Sequence, residues 1–262
     1  MAQAAAQHEH VSVVQQDGVM EIRIQRPDRK NALTHGMYDA LTAALIAADT
    51  DPAVRVALIA GTDDCFTAGN DMVEFLQNPP TGDDSPVMRF LAQLLNQEKP
   101  LIAAVNGPAV GVGTTMLLHC DLVYCARSAR LQMPFVSLGL CPEAGASMLL
   151  PMIMGHPRAA ELLMLAEPFS GEEAVALGLA NAVFEDADYL AEARQRARRL
   201  AAQPPASVRL TKAFMRAPTR EAVAAHMKLE GDNFLARLSS AEAREAMTAF
   251  MEKRKPDFSR FS

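Results

Sequence analysis

No stretch of the sequence reaches the ~18 consecutive apolar residues of a membrane-spanning helix, so a membrane protein of that kind is not expected. Cysteine is scarce. Cys65, Cys120, Cys125 and Cys141 show neither a CxxC spacing nor a Cys/His metal pattern. No metal site is expected, and the apolar segments around them suit buried, reduced thiols in a cytoplasmic protein. Basic residues are outnumbered, 25 Lys and Arg against 31 Asp and Glu, giving a formal net charge of −6. That balance argues against a nucleic-acid surface but leaves room for a small basic pocket. Residues Met1 to His10 have no basic start and no apolar core of signal-peptide length, so a disordered lead-in over 1–10 is expected. Apolar residues are what the chain has in quantity. Half of its 262 residues are hydrophobic and 21% charged, which suits one large domain or a domain with an appendage.

Val11-Ser12-Val13-Val14 and Met20 to Ile24 flank Asp17-Gly18, a hairpin signal. Thr34 is placed to cap a helix whose Met37, Leu41, Leu45 and Ala48 share one face. Val54 to Ala60 and Leu101 to Val105 are apolar runs that read as buried strands; Leu122 to Tyr124 and Ala182 to Phe184 are shorter ones. Residues 78–86, rich in Pro, Gly and Asp, predict a mobile loop and a lid near a site, followed by a helix from Val87 to Gln97. Ser170 with Glu173, and Ser239 with Glu242, have capping-box spacing. Arg194, Arg196, Arg198 and Arg199 read as the solvated face of a helix from Tyr189 to Ala202. Strands alternating with helices predict an α/β fold with mainly parallel strands. The core domain is placed at 11–200 and a helical region at 201–262.

The stretch Asn106-Gly107-Pro108-Ala109-Val110-Gly111-Val112-Gly113-Thr114-Thr115 follows the Leu101–Val105 run and precedes Met116-Leu117-Leu118. A strand-to-helix junction of this kind leaves backbone N–H groups without intrahelical partners, facing any developing negative charge. It is no phosphate loop, because Thr114-Thr115 follow Gly113 without a Lys, and no dinucleotide fingerprint, because Met116 stands where a third Gly belongs. The spacing alone leaves a purely structural turn as an equal alternative. A second junction, Phe66-Thr67-Ala68-Gly69-Asn70-Asp71-Met72, follows the Val54–Ala60 run. Two such junctions on adjacent parallel strands would aim two N–H donors at one point, as an oxyanion hole requires.

Phe66 to Met72, Ala103 to Gly111 and Cys120-Asp121-Leu122-Val123-Tyr124 resemble the successive signatures of the crotonase family, which contains the enoyl-CoA hydratases and isomerases. Arg26-Pro27-Asp28-Arg29-Lys30-Asn31-Ala32-Leu33 resembles its segment contacting coenzyme A, and Glu252 to Phe258 its C-terminal end. The resemblance runs in order from Val11 to Phe258. It implies a crotonase-like ββα superhelix with a C-terminal helical trimerisation region, hence a homotrimer or dimer of trimers. It implies an acyl-CoA thioester substrate, with coenzyme A arriving as part of that substrate and no separate cofactor. It implies that the backbone N–H groups of Asn70 and Val112 form the oxyanion hole. Lys30, Ala32, Ala68, Gly69, Asn70, Asp71, Met72 and Gly111 would lie on the coenzyme A side.

The hydratases of that family use two glutamates. The corresponding positions here are Thr115 and Phe135, and neither serves as a base near neutral pH. One carboxylate remains nearby: Glu143, in Gly139-Leu140-Cys141-Pro142-Glu143-Ala144-Gly145. Its position alone also fits a carboxylate stabilising a helix N-terminus. The run Pro134 to Glu143 resembles the peroxisomal-type Δ3,Δ2-enoyl-CoA isomerases, where such a Glu moves a proton from C2 to C4 of the acyl chain. Glu143 is therefore expected to be the catalytic base of an isomerase. A hydratase or another enolate-forming acyl-CoA reaction is the alternative, and a non-catalytic acyl-CoA-binding scaffold is the alternative of another class. His119 and His156 are expected to be structural.

Overall fold

The computed structural model describes residues 8–261. The lead-in expected over 1–10 falls largely outside the described residues; His8 to His10 turn directly into the first strand. Among the described residues nine strands form two sheets. The larger contains β1 (Val11–Gln16), β2 (Val19–Ile24), β3 (Val56–Ala60), β4 (Leu101–Val105), β6 (Leu122–Ala126) and β9 (Ala182–Phe184), in that order. Only the β1/β2 hairpin is antiparallel in it; every other pair is parallel. The smaller sheet holds β5 (Pro108–Val110), β7 (Arg130–Gln132) and β8 (Phe169–Ser170). Successive units place one strand in each sheet: β4 then β5, β6 then β7. Isolated bridges Leu33↔Asn70 and Thr67↔Ala109 extend the smaller sheet toward the earlier parts of the chain. This is the ββα spiral.

The large sheet is covered on both faces, which is why β3 and β4 are apolar at every position. Val56, Leu58, Ala60, Ile102 and Ala104 pack under Tyr189, Ala193 and Ala197 of helix Tyr189–Ala201. Ala57, Ile59, Ala103 and Val105 join the other core, with Met37, Leu41 and Leu45 of helix His35–Thr50. Thr34 caps that helix, accepting from the Met37 N–H. Helices Pro205–Arg216, Arg220–Leu238 and Ala241–Met251 end the chain. Phe234, Ala243 and Met247 from them are buried in the same core. No helix among the described residues is long and apolar enough to cross a membrane.

Three local expectations are corrected. The last helix is capped by Ser240, which accepts from the Ala243 N–H, while Glu242 turns back to Arg237; Ser239 is not the cap. The arginine face is not simply solvated. Arg194 makes a two-point ion pair with Glu21 on β2 (both contacts 2.7 Å), and the Arg196 guanidinium lies over Tyr124 and Phe184. The Gly-rich stretch is not a direct strand-to-helix turn, because β5 intervenes before the short helix Val112–Thr115. Three residues are too few to show a period of two, so β5 has no signature in the sequence.

Candidate active site

Three chain segments lie side by side. Ala68 donates its N–H to Lys30 O, Leu33 to Gly69 O and Asp71 to Leu33 O, at 2.8–2.9 Å. On the other side Phe66 donates to Asn106 O (2.8 Å), Thr67 to Pro108 O and Val110 to Thr67 O (both 3.0 Å). Buried Asn31 ties the group together. Its side-chain amide donates to Cys65 O (2.7 Å) and Phe66 O (3.2 Å), and its backbone carbonyl accepts from the Thr67 hydroxyl. The two junctions read from the sequence are therefore neighbours in space. Their glycines permit it: a Cβ on Gly69 (φ +86°) would meet Val110 O at 2.7 Å, and Gly111 turns the chain at φ +59°. Beyond each glycine the Asn70 and Val112 N–H groups meet no backbone acceptor among the described residues. Tyr38 donates its hydroxyl to the Asn70 side chain and steadies that peptide.

These segments form one wall of a cavity of about 560 Å³. Ala32, Ala68, Gly69, Asn70, Asp71, Met72, Gly111, Val112 and Glu143 all line it. Lys30 does not; Arg29 lines it in its place. Phe75, Val87, Met88, Leu91, Leu138 and Phe234 make the remaining wall largely apolar. Loop 78–86 contributes nothing to this wall. It surrounds a separate hollow with His35, and the helix that follows it, Pro86–Asn96, faces the main cavity instead. Asp71 is fully engaged. It caps helix Met72–Gln77 through the Val73 and Glu74 N–H groups and pairs with Arg26 at 2.7 Å. Burial alone would raise its carboxyl, but the Arg26 hydrogen bond and the capped N–H groups hold it below the usual range.

Glu143 is different. It is 6% exposed, faces the cavity, and has no cation beside it among the described residues. The Thr115 hydroxyl donates to its carboxylate. Burial pushes the Glu143 carboxyl up to about 7, against the Thr115 hydrogen bond and with Glu230 adding to the rise. Tyr38 is held well above its ordinary value by burial and by Glu143, so it stays a neutral donor. Thr115, which the resemblance aligns with a hydratase glutamate, touches the Glu143 carboxylate. Phe135, at the second such position, lies in the cavity wall edge-on to Phe234 (6.4 Å between centroids).

Sequence reasoning missed Tyr38, Phe234 and Glu230. Tyr38 lies within a helix face read only as core packing, and the other two lie on helix Arg220–Leu238, far along the chain from the motifs. His119 is structural as expected: buried, with Nε2 2.8 Å from Ala144 O, and pushed down to about 4 by burial. Arg254 is paired with Glu245 and Glu252 at 2.6 Å.

Comparison with known proteins places the chain's fold and family. The solved structure of Pseudomonas aeruginosa OdaA is similar to the chain at 54% identity and a TM-score of 0.91, covering 93% of this chain and 99% of that one. Enoyl-CoA delta isomerase 2 of Homo sapiens is 33% identical over 253 residues; the match takes in 94% of this chain but spans only 64% of that protein's length. Crotonyl-CoA hydratase of Syntrophomonas wolfei is 32% identical, with 96% of this chain and 98% of the relative covered. The family description enoyl-CoA hydratase/isomerase matches residues 14–260. With paired glycine turns, an apolar cavity between them and a match along nearly the whole chain, the protein belongs to the enoyl-CoA hydratase/isomerase family.

Proposed function

We propose that the protein isomerises 3-enoyl-CoA to trans-2-enoyl-CoA, with Glu143 as its single base. The observation that carries this reading is the charge inventory of the cavity. Its two carboxylates are Asp71, committed to Arg26 and a helix cap, and Glu143, unpaired and raised to about 7. A base poised near neutral pH is suited to both taking and returning a proton.

The thioester carbonyl oxygen sits against the N–H groups of Asn70 and Val112. Glu143 takes the proton from C2, and the electrons of that C–H bond pass into a dienolate whose charge rests on the thioester oxygen. The C3=C4 double bond moves to C2=C3, and Glu143 returns the same proton to C4. No atom is gained or lost, so one carboxylate suffices. Hydration needs an activated water as well, and the second position is filled by Phe135 packed on Phe234. An apolar wall excludes that water and the side reactions it would bring. Ala32, Ala68, Gly69, Met72 and Gly111 line the approach of the coenzyme A moiety, with Arg29 as the cation of that lining.

Product analysis tests the reading. Purified protein is incubated separately with 3-hexenoyl-CoA and with trans-2-butenoyl-CoA and trans-2-hexenoyl-CoA. Isomerisation is expected to be far faster than formation of 3-hydroxyacyl-CoA. Hydration at a comparable rate would show that water is activated in this cavity and would overturn the proposal.

A further inference from the structure

Helix Ala146–Met154 has no cap of its own. Its N-cap is Gly145, and Ala144 and Gly145 both adopt left-handed backbone, at φ 60° and 74°. The missing acceptor arrives from helix Arg220–Leu238. Glu230 Oε2 accepts from the Gly145 N–H (2.6 Å). Its Oε1 accepts from the Ser147 N–H (2.8 Å) and the Ser147 hydroxyl (2.6 Å). The Glu230 carboxylate is buried, 6% exposed, and all three donors come from the turn that carries Glu143.

Glu143 lies three residues before Ala146, where a helix attracts a carboxylate to its positive end. Glu230 occupies that end, and Glu143 turns to Thr115 and the cavity. We propose that Glu230 is a positioning residue for Glu143: it locks the 143–147 turn and, by filling the helix N-terminus, keeps the base aimed into the cavity. This rests on Glu143 being the base. Glu230 also acts at a distance, because its negative charge adds to the rise that burial imposes on Glu143. Among the described residues the titratable groups facing Glu143 are Tyr38 from helix His35–Thr50, Cys141 on its own loop, and Glu230. Behind them stand His226, 3.7 Å from Glu230 and 2.8 Å from the Ser147 hydroxyl, and Arg237, close enough to act on Cys141. His119 touches the Ala144 carbonyl.

The test titrates Glu143 directly, by difference infrared spectroscopy of the carboxyl band that Glu143→Gln removes, beside the pH profile of kcat. In Glu230→Gln the Glu143 midpoint is expected to move toward acid by about half a pH unit or more, with kcat lowered more than KM is raised. An unmoved midpoint with only a lower Tm overturns the proposal, since a plain cap affects stability alone. If Glu230→Gln does not fold, Ser147→Ala decides. Loss of the hydroxyl leaves the Glu230 charge less compensated, so the Glu143 midpoint is expected to rise; no movement overturns the proposal. The infrared titration needs no substrate. A shifted midpoint in a protein whose wild type does not turn over 3-enoyl-CoA would therefore reject the proposed reaction while supporting the link from Glu230 to Glu143.

Discussion

Glu143→Gln removes the proposed base and leaves its surroundings nearly intact. Glutamine has the same shape, and its amide oxygen still accepts from the Thr115 hydroxyl. The Asn70 and Val112 donors are backbone groups and the wall is largely apolar, so acyl-CoA binding is expected to survive. A positioned base is worth about 10²–10⁴-fold. The expected fall in kcat has that size, about 3–5 kcal/mol of transition-state stabilisation, at little-changed KM. Stability should move the other way. The carboxyl is raised from 4.5 to about 7 in the folded protein. A raised value contributes stability that is fully present below the unfolded value and is lost as pH rises through the folded one. Above pH 7 the wild type therefore carries a buried ionised carboxylate, at a cost of about 3 kcal/mol relative to acid pH. Glutamine carries no such cost. The Tm of the variant, relative to wild type, should rise by about 5–10 °C between pH 5 and pH 8. A spectrophotometric isomerase assay and thermal unfolding at both pH values measure the two effects. A kcat within tenfold of wild type would refute the assignment of the base. A Tm difference independent of pH would refute the buried ionisation.

Thr115→Val removes the hydroxyl that lowers Glu143, so the acid-side limb of the kcat–pH profile should shift to higher pH; an unshifted limb would mean the contact does not tune the base. Gly69→Ala places a Cβ against Val110 O in left-handed backbone and should separate the two turns, lowering kcat by about 10²-fold, the scale of one lost oxyanion donor; near-normal kcat would show that the turns need not touch. Phe214 and Met215 are each 67% exposed and Phe250 55%, large apolar side chains on the terminal helices that call for a cover. A trimer or dimer of trimers is expected by sedimentation at micromolar concentration, and a monomer would contradict it.

Much of this was legible along the chain because the signals are local. The Asp17-Gly18 hairpin, the Thr34 cap, the apolar runs of β3 and β4 and the glycine turns depend on residues within a few positions of one another. The sequence also determined which bases are missing, since Thr115 and Phe135 cannot ionise as carboxylates whatever the fold. The tertiary structure decided where the remaining carboxylate sits and what it touches. In sequence alone Glu143 fits a helix-end charge as well as a base; in the fold Glu230, from a distant helix, takes the helix end and Glu143 lines the cavity. Thr115 read as a neutral residue in a vacated position; across 28 residues it becomes the partner of Glu143. Strands β5, β7 and β8, two or three residues each, are too short for any periodicity and exist because neighbouring segments supply their hydrogen bonds. Local pattern reports backbone conformation and buried faces; proton affinity depends on desolvation and on charges that only the folded chain brings together.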